Sequence, residues 1–106
     1  MIYDDRVKNS KSNIKEAIKF FKALSNETRL KIVKSLIHGE KCVCEIFPLV
    51  KRTQSTVSIQ LSKLENAGIV EAKRKGKMVF YSIKDKRILK ILKSLDSKKR
   101  KIRCFI

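Results

Sequence analysis

The sequence predicts a mostly α-helical domain with one small β-hairpin, an α+β fold of five helices and two strands. Three observations predict this class. The chain has 106 residues, which is enough for one compact domain and too few for two. Apolar residues recur at the helical spacing of three and four over most of the chain. The spacing then changes to that of strands on either side of a basic turn that contains glycine.

The first helix is predicted from Asn13, after a polar, unpatterned stretch that we expect to form a flexible arm over residues 1–12. Its apolar stripe consists of Ile14, Ala17, Ile18, Phe21 and Leu24. Asn26 can cap a second helix, whose apolar residues are Leu30, Val33, Leu36 and Ile37. Gly39 ends the second helix, because glycine readily adopts the left-handed conformation that closes helices.

The third and fourth helices are predicted from their termini. The third begins near Cys42 and either distorts or starts again around Pro48, since proline is tolerated in a first turn but not further along. Thr53 is the predicted cap of the fourth helix, which runs to Ala67 and Gly68. The core stripe of the fourth helix consists of Val57, Leu61 and Leu64.

Two strands and a last helix complete the predicted domain. The strands cover residues 69–73 and 78–83, and the basic turn of residues 74–77 joins them into a hairpin. The last helix starts at about Asp85, and its apolar face carries Ile88, Ile91, Leu92 and Leu95. We therefore expect one folded domain over residues 13–96, followed by a basic tail over residues 97–106.

The charge of the chain predicts a polyanionic partner. Lysine and arginine number 27 and aspartate and glutamate 10, which gives a net charge of +17. Self-repulsion at this charge opposes compaction, so double-stranded DNA is the favoured partner. A general lysine-rich bias of the genome is the alternative explanation. The order of helices, small polar helix face and cationic hairpin is that of a winged helix-turn-helix, which favours DNA.

The predicted DNA-binding residues lie in three groups. The fourth helix offers short hydrogen-bonding side chains to the major groove, the residues before it reach phosphates, and the hairpin lies along the neighbouring backbone. The full set is Lys51, Arg52, Thr53, Gln54, Ser55, Thr56, Ser58, Gln60, Lys63, Lys73, Arg74, Lys75 and Lys77. Alone, a serine- and glutamine-rich helix face would indicate only a solvated surface; its place next to a basic hairpin favours DNA contact.

Four segments in order resemble the ArsR/SmtB family of small metal-sensing repressors. They are residues 23–32 (ALSNETRLKI), 42–46 (CVCEI), 54–64 (QSTVSIQLSKL) and 67–70 (AGIV), and Tyr81 closes the hairpin as the family's tyrosine often does. The resemblance implies a winged helix-turn-helix of order α-α-α-α-β-β-α that works as a homodimer through its first and last helices. A two-fold dimer implies an inverted-repeat operator. Gln60 stands where the family commonly has histidine, so base preference there does not carry over.

Cys42 and Cys44 are the candidate effector site. They lie near a predicted helix start, where exposed amides and the helix dipole stabilise thiolates, and thiolates bind soft ions. Arsenite- or antimonite-type As(III) and Sb(III) are the favoured effectors, ahead of Zn(II) or Cd(II). Without the resemblance, a pair of small buried hydrophobic residues would be the simpler interpretation. No metal is expected to be needed for folding.

The cysteine site is incomplete by the standard that the resemblance implies. Arsenite-type sensors of the family use a third cysteine three residues beyond the second, and Phe47 stands at that position. Cys104 in the basic tail can supply the third sulfur, or it can be an ordinary thiol at the chain end. Three cysteines are an odd count in a reducing compartment, so a disulfide framework is not expected.

Other classes are excluded or kept as alternatives. No stretch has the length and hydropathy of a membrane span or a signal peptide, so a cytoplasmic protein without membrane contact is expected. An enzyme is not expected, because no acid-base pair, activated nucleophile or phosphate-binding glycine loop is present. Two alternatives to an ion-released repressor remain. One is a repressor of the same fold switched by a disulfide from Cys104 to Cys42 or Cys44, and the other is an architectural DNA-binding protein without an effector.

Overall fold

The computed structural model describes residues 5–95, with the side chains of residues 13–95. The elements in chain order are α1 (Asp5–Leu24), α2 (Glu27–Ser35), β1 (Lys41–Cys42), α3 (Val43–Val50), α4 (Gln54–Asn66), β2 (Val70–Lys75), β3 (Met78–Ile83) and α5 (Arg87–Leu95). The predicted α+β class and its helix-hairpin-helix order are confirmed. The basic tail of residues 97–106, with Cys104, lies outside the described residues.

Helix α1 is longer than predicted. It begins at Asp5 rather than at Asn13, so residues 5–12 of the expected arm are helical. The segment has no apolar period, which is why the pattern did not reveal it. It also has no glycine or proline, so nothing in its sequence stops the helix from continuing toward the N-terminus. Within the described part of the chain, no helix combines the length and the hydropathy needed to cross a membrane.

The sheet has three strands where two were predicted. Strands β2 and β3 form the expected antiparallel hairpin, with Val70 opposite Ile83 and Lys75 opposite Met78. Gly76 has a φ of 64°, the left-handed conformation that a two-residue hairpin loop requires. The short β1 pairs with the other edge of β3, giving the order β1-β3-β2. A two-residue strand is too short to show alternation, which explains why the sequence did not predict it.

The core lies between the helices and one face of the sheet. Helices α2, α3 and α4 each contribute fully buried aliphatic side chains, and the sheet and α5 close the core from the other side. Its largest fully buried members are Ile32, Leu36, Ile46, Leu61, Leu64, Ile69 and Ile88. No buried side-chain nitrogen or oxygen among the described residues lacks a hydrogen-bond partner. The core therefore holds α4 against α3 and α2 as one packed unit.

The apolar stripe of α1 is only partly core. Phe20 and Leu24 are buried, whereas Ile14, Ile18 and Phe21 are half or more exposed. Leu95 at the end of α5 is exposed as well. The predicted stripes on the first and last helices thus leave apolar side chains exposed on this chain.

Candidate DNA interface and thiol site

Helix α4 is positioned by its N-terminal cap. The Oγ1 atom of Thr53 accepts a hydrogen bond of 3.1 Å from the backbone N–H of Thr56 and donates one of 2.9 Å to the Thr56 hydroxyl. The predicted cap is therefore confirmed. The hydroxyls of Thr53 and Thr56 are thus engaged at the N-terminus of α4, while the side chains of Gln54, Ser55 and Ser58 are exposed to solvent. The exposed end of α4 thus presents short polar side chains outward, as major-groove contact requires.

The two consecutive basic residues of the turn between α3 and α4 have different surroundings. Lys51 is exposed and has a φ of 56°, which is uncommon for a residue other than glycine. Arg52 turns back toward α2, where its Nε donates to the Thr28 hydroxyl at 3.2 Å and its guanidinium lies 3.6 Å from the Glu27 carboxylate. Lys51 thus remains exposed at the turn, whereas Arg52 links the turn to α2.

Gln60 is held from inside the protein. Its Oε1 accepts a hydrogen bond of 2.6 Å from the guanidinium of Arg29 on α2. Arg29 Nε also donates to the carbonyl of Ala23 at 2.6 Å, at the end of α1. Gln60 was predicted to contact DNA, and this bond occupies one lone pair of its side-chain oxygen and fixes the direction of the amide. Sequence reasoning missed Arg29, whose only signal was its place in the Thr28-Arg29-Leu30 segment.

The hairpin, here called the wing (residues 70–83), carries most of the remaining predicted cations. Lys73, Arg74 and Lys77 are exposed and form no ion pair among residues 13–95. Lys75 differs, because its ammonium group contacts the Glu40 carboxylate and lies 5.1 Å from the centre of the Phe80 ring. The wing therefore offers three unpaired cations and one that is already engaged.

Two further residues complete the surface around α4. Lys63, a predicted DNA-binding residue, is exposed in the last turn of α4. Tyr81 of β3 is half-buried, and burial, with the nearby Glu65 carboxylate, raises the pKa of its phenol. The side chain of Tyr81 also packs against the core.

The cysteine pair lies where β1 passes into α3. Cys42 is the N-cap of α3 with an extended backbone, and Cys44 is in the first turn. The change from strand to helix brings the sulfurs together, and the structure contains a Cys42–Cys44 disulfide with the two Cα atoms 5.2 Å apart. The sequence predicted no disulfide framework and did not predict this bond between neighbouring cysteines. Cys42 is 3% exposed and Cys44 faces solvent, so the site has one buried and one accessible sulfur.

The surroundings of the cysteines fix this arrangement. The backbone N–H of Cys42 donates to the Glu45 carboxylate at 3.0 Å, and Ile46 of α3 is fully buried. Helix α3 is continuous through Pro48, so it does not start again there. Phe47 packs against the core in the place of a third sulfur. Within residues 13–95, no three histidine, cysteine or acidic side chains form a cluster that could hold a metal ion.

Fold and surface together define a winged helix-turn-helix DNA-binding protein: a capped helix with a polar outer face, a cationic turn before it and a basic hairpin beside it. The profile described as "Bacterial regulatory protein, arsR family" matches residues 26–72. The cadmium resistance transcriptional regulatory protein CadC of Listeria innocua is 38% identical over 97 residues, covering 86% of this chain and 82% of that protein. The chain belongs to the ArsR family of transcriptional regulators.

Two further similarities bear on function and assembly. The putative arsenical resistance operon repressor ArsR of Halobacterium salinarum is 49% identical over 57 residues, which covers 52% of this chain and 44% of that protein. The homodimeric winged helix-turn-helix DNA-binding domain from Mycobacterium bovis superposes with a TM-score of 0.76 at 27% identity, covering 92% of this chain and 90% of that one. The fold predicted from sequence is thus confirmed by a solved relative.

Proposed function

We propose that the chain is a transcriptional repressor that binds operator DNA as a homodimer and leaves it when a soft thiophilic ion occupies Cys42 and Cys44. The observation that carries the proposal is the convergence of the two sulfurs at the start of α3, the helix that precedes the reading helix α4. The same helix joins a thiol site to a DNA surface, as a ligand-controlled repressor requires.

DNA contact is assigned to the exposed side chains of α4, the turn and the wing. Gln54, Ser55 and Ser58 face the base edges, and Lys51, Lys63, Lys73, Arg74 and Lys77 meet phosphates. A net charge of +17 makes a large salt-dependent share of the affinity inevitable. Thr53, Thr56, Arg52, Gln60 and Lys75 already have partners inside the protein, so we assign them supporting roles at this surface.

The homodimer is assigned to the exposed apolar surface of α1 and α5. Ile14, Ile18, Phe21 and Leu95 lie on it, and the similar domain from Mycobacterium bovis is described as homodimeric. Two chains related by a two-fold axis present two copies of α4, so the proposed operator is an inverted repeat.

The effector site must be reduced before it can bind an ion. Reduction of the Cys42–Cys44 disulfide by a cellular dithiol takes up two electrons and two protons and yields two thiols, which ionise to the thiolates that As(III), Sb(III) or Cd(II) prefer. The two cysteine sulfurs supply two of the donors that such an ion binds. Cys104, outside the described residues, or a free cellular thiol is the proposed third donor. The relatives named for cadmium and for arsenical resistance support a soft ion without choosing between the two.

The proposed release from DNA depends on the packing of α3 against α4. Ile46 and Val50 of α3 share the core with Val57 and Leu61 of α4, so a displacement of α3 changes the seating of α4. Two thiolates that share an ion stand further apart than two bonded sulfurs, and the first turn of α3 must adjust to them. Converting a 99:1 DNA-bound population to 1:99 requires the ion to prefer the released form by about 5.5 kcal/mol.

The test is a titration of the reduced protein on the DNA upstream of its own gene, with and without arsenite, antimonite, cadmium and zinc. We expect at least one soft ion to release the DNA. Cys42→Ser and Cys44→Ser should keep operator binding and lose release, and Cys104→Ser shows whether the tail supplies a donor. Release that persists in the Cys42→Ser/Cys44→Ser double variant would refute the proposed site.

A redox switch is the second candidate, because the structure contains the Cys42–Cys44 bond. Oxidation of the two thiols by hydrogen peroxide forms the disulfide and two water molecules, so the oxidant takes two electrons and two protons from the sulfurs. The partner expected from sequence was Cys104, and the bond seen here joins neighbours instead. Peroxide-induced release that a reductant reverses, without any soft ion, would favour this candidate over the ion-responsive one.

A further inference from the structure

The reading helix α4 carries an exposed aliphatic side chain in the middle of its polar outer face. Ile59 is 56% exposed, whereas the buried face of α4 is formed by Val57, Leu61 and Leu64. At 100° per residue, Ile59 points about 200° away from Val57, to the side opposite the core. Its position is therefore not explained by the packing of this domain.

The neighbours of Ile59 on the helix surface are polar, and two of them are small and exposed serines. Ser55 precedes it by four residues and Ser62 follows by three, and both are exposed. Serine hydroxyls donate or accept, so they contact several bases equally well. An aliphatic side chain, by contrast, makes favourable contacts only with an apolar group. Ile59 is thus the side chain at the centre of this face whose chemistry selects an apolar group on a base.

The major groove has one prominent apolar group, the C5 methyl of thymine. We propose that Ile59 is a specificity-determining residue that packs on a thymine methyl in each operator half-site. The inference rests on the proposed role of α4 as the reading helix and adds the base that it reads. Contact between Ile59 and the methyl removes apolar surface of both from water, which favours thymine over cytosine or an unmethylated uracil.

The test is a double-mutant cycle in which a protein side chain and a DNA methyl group are removed singly and together. A preferred duplex is first selected from a random pool with the reduced wild-type protein. Each thymine of a half-site is then replaced in turn by 2′-deoxyuridine, which removes only the methyl. At one position we expect the wild type to lose about fourfold in affinity per half-site, and about fifteenfold when both half-sites are changed.

Three variants make the cycle specific. Ile59→Ala should bind the thymine and deoxyuridine duplexes equally, and Ile59→Thr, which keeps one methyl, should retain part of the discrimination. Leu49→Ala is the matched control, since Leu49 is an aliphatic residue of α3 with a similar exposure of 58%. It should keep the full discrimination. Unchanged circular dichroism spectra establish that each variant is folded.

The outcomes separate this inference from the proposed function. If the wild type selects a preferred duplex but no deoxyuridine weakens binding, the role of Ile59 is wrong and the repressor proposal stands. Equal sensitivity to deoxyuridine in the wild type and Ile59→Ala overturns the inference as well. If the wild type selects no sequence at all, the proposed function fails first, and with it the basis of the inference.

Discussion

Replacing Arg29 by methionine should destabilise the protein strongly, although Arg29 touches neither the thiol site nor the outer face of α4. Its guanidinium connects three helices: it donates to Ala23 at the end of α1, extends from α2, and donates to Gln60 of α4. Methionine keeps much of the length and the apolar stem and removes the donors and the charge. The substitution therefore measures the hydrogen bonds rather than the packing.

The magnitude follows from two short contacts. Arg29 Nε and Nη1 each make a hydrogen bond of 2.6 Å, and both are partly buried. A third contact, to the Lys22 carbonyl at 3.4 Å, is long and adds little. Hydrogen bonds from charged donors contribute about 1.5–3 kcal/mol each, and partial exposure favours the lower end. We therefore expect Arg29→Met to lower the free energy of unfolding by about 3 kcal/mol.

The assay is urea unfolding at one fixed protein concentration, because the stability of a dimer depends on concentration. Lys31→Met is the matched control on the same helix, since Lys31 forms an exposed ion pair with Glu27 and should change stability little. A double-mutant cycle of Arg29→Met with Gln60→Met isolates the bond between them. Its expected coupling free energy is about 1.5 kcal/mol.

Two results would contradict this reasoning. A loss of stability in Arg29→Met no greater than in Lys31→Met would show that the bridge contributes nothing. A coupling free energy below about 0.5 kcal/mol, with both single variants destabilised, would show that Arg29 and Gln60 act through other partners.

Three further predictions concern the turn, the wing and the acid range. Lys51→Gly should raise the free energy of unfolding by about 0.5–1 kcal/mol, because glycine adopts the positive φ of this position without strain. Operator affinity should fall, because a phosphate contact is lost. Equal affinity in both proteins would remove Lys51 from the DNA surface. Lys77→Met should reduce the slope of log affinity against log salt by about 0.9 per protomer. Lys75→Met should reduce it clearly less, because Lys75 already pairs with Glu40. Equal slopes for the two variants would contradict the assignment of Lys77 to a phosphate and Lys75 to a supporting role. Hydrogen bonding to Arg87 lowers the pKa of Asp85, so its carboxylate stabilises the fold above the ordinary value of 3.8 and this stabilisation is lost as the pH falls through the lowered pKa. Asp85→Asn should thus be less stable than the wild type at neutral pH and approach it in acid, with the exposed Glu71→Gln as control; a pH-independent difference would mean that the carboxylate charge is not responsible.

Local signals in the sequence predicted the elements that carry the DNA surface. Thr53 caps α4, and Gly76 sits in the wing loop, each as expected from the backbone chemistry of its residue type. The core stripe of Val57, Leu61 and Leu64 was likewise predicted, because a helix buried on one side must repeat its apolar residues at this spacing. Such features depend on a few adjacent residues, which is why a single sequence reveals them.

Contacts between distant segments could not be predicted in the same way. Arg29 and Gln60 are 31 positions apart, and nothing in either segment indicates the other. Similarly, Arg52 looked like a phosphate ligand beside Lys51, but the fold directs it to Glu27 and Thr28. A regular helix would place Cys42 and Cys44 on different sides, and the sequence alone does not show where the helix begins. Their sulfurs meet because Cys42 still belongs to a strand.

The strand that contains Cys42 connects the sulfur chemistry to more than the helix after it. Through β1, Lys41 and Cys42 pair with Tyr81 and Phe80, the central strand of the sheet that continues into the wing. Under the proposed function, a rearrangement of the Cys42 sulfur would also act on the ladder between β1 and β3, the strand that continues into the wing. Under the proposed function, one change at the cysteine pair would then alter both the position of α4 in the major groove and the contact of the wing with the flanking phosphates.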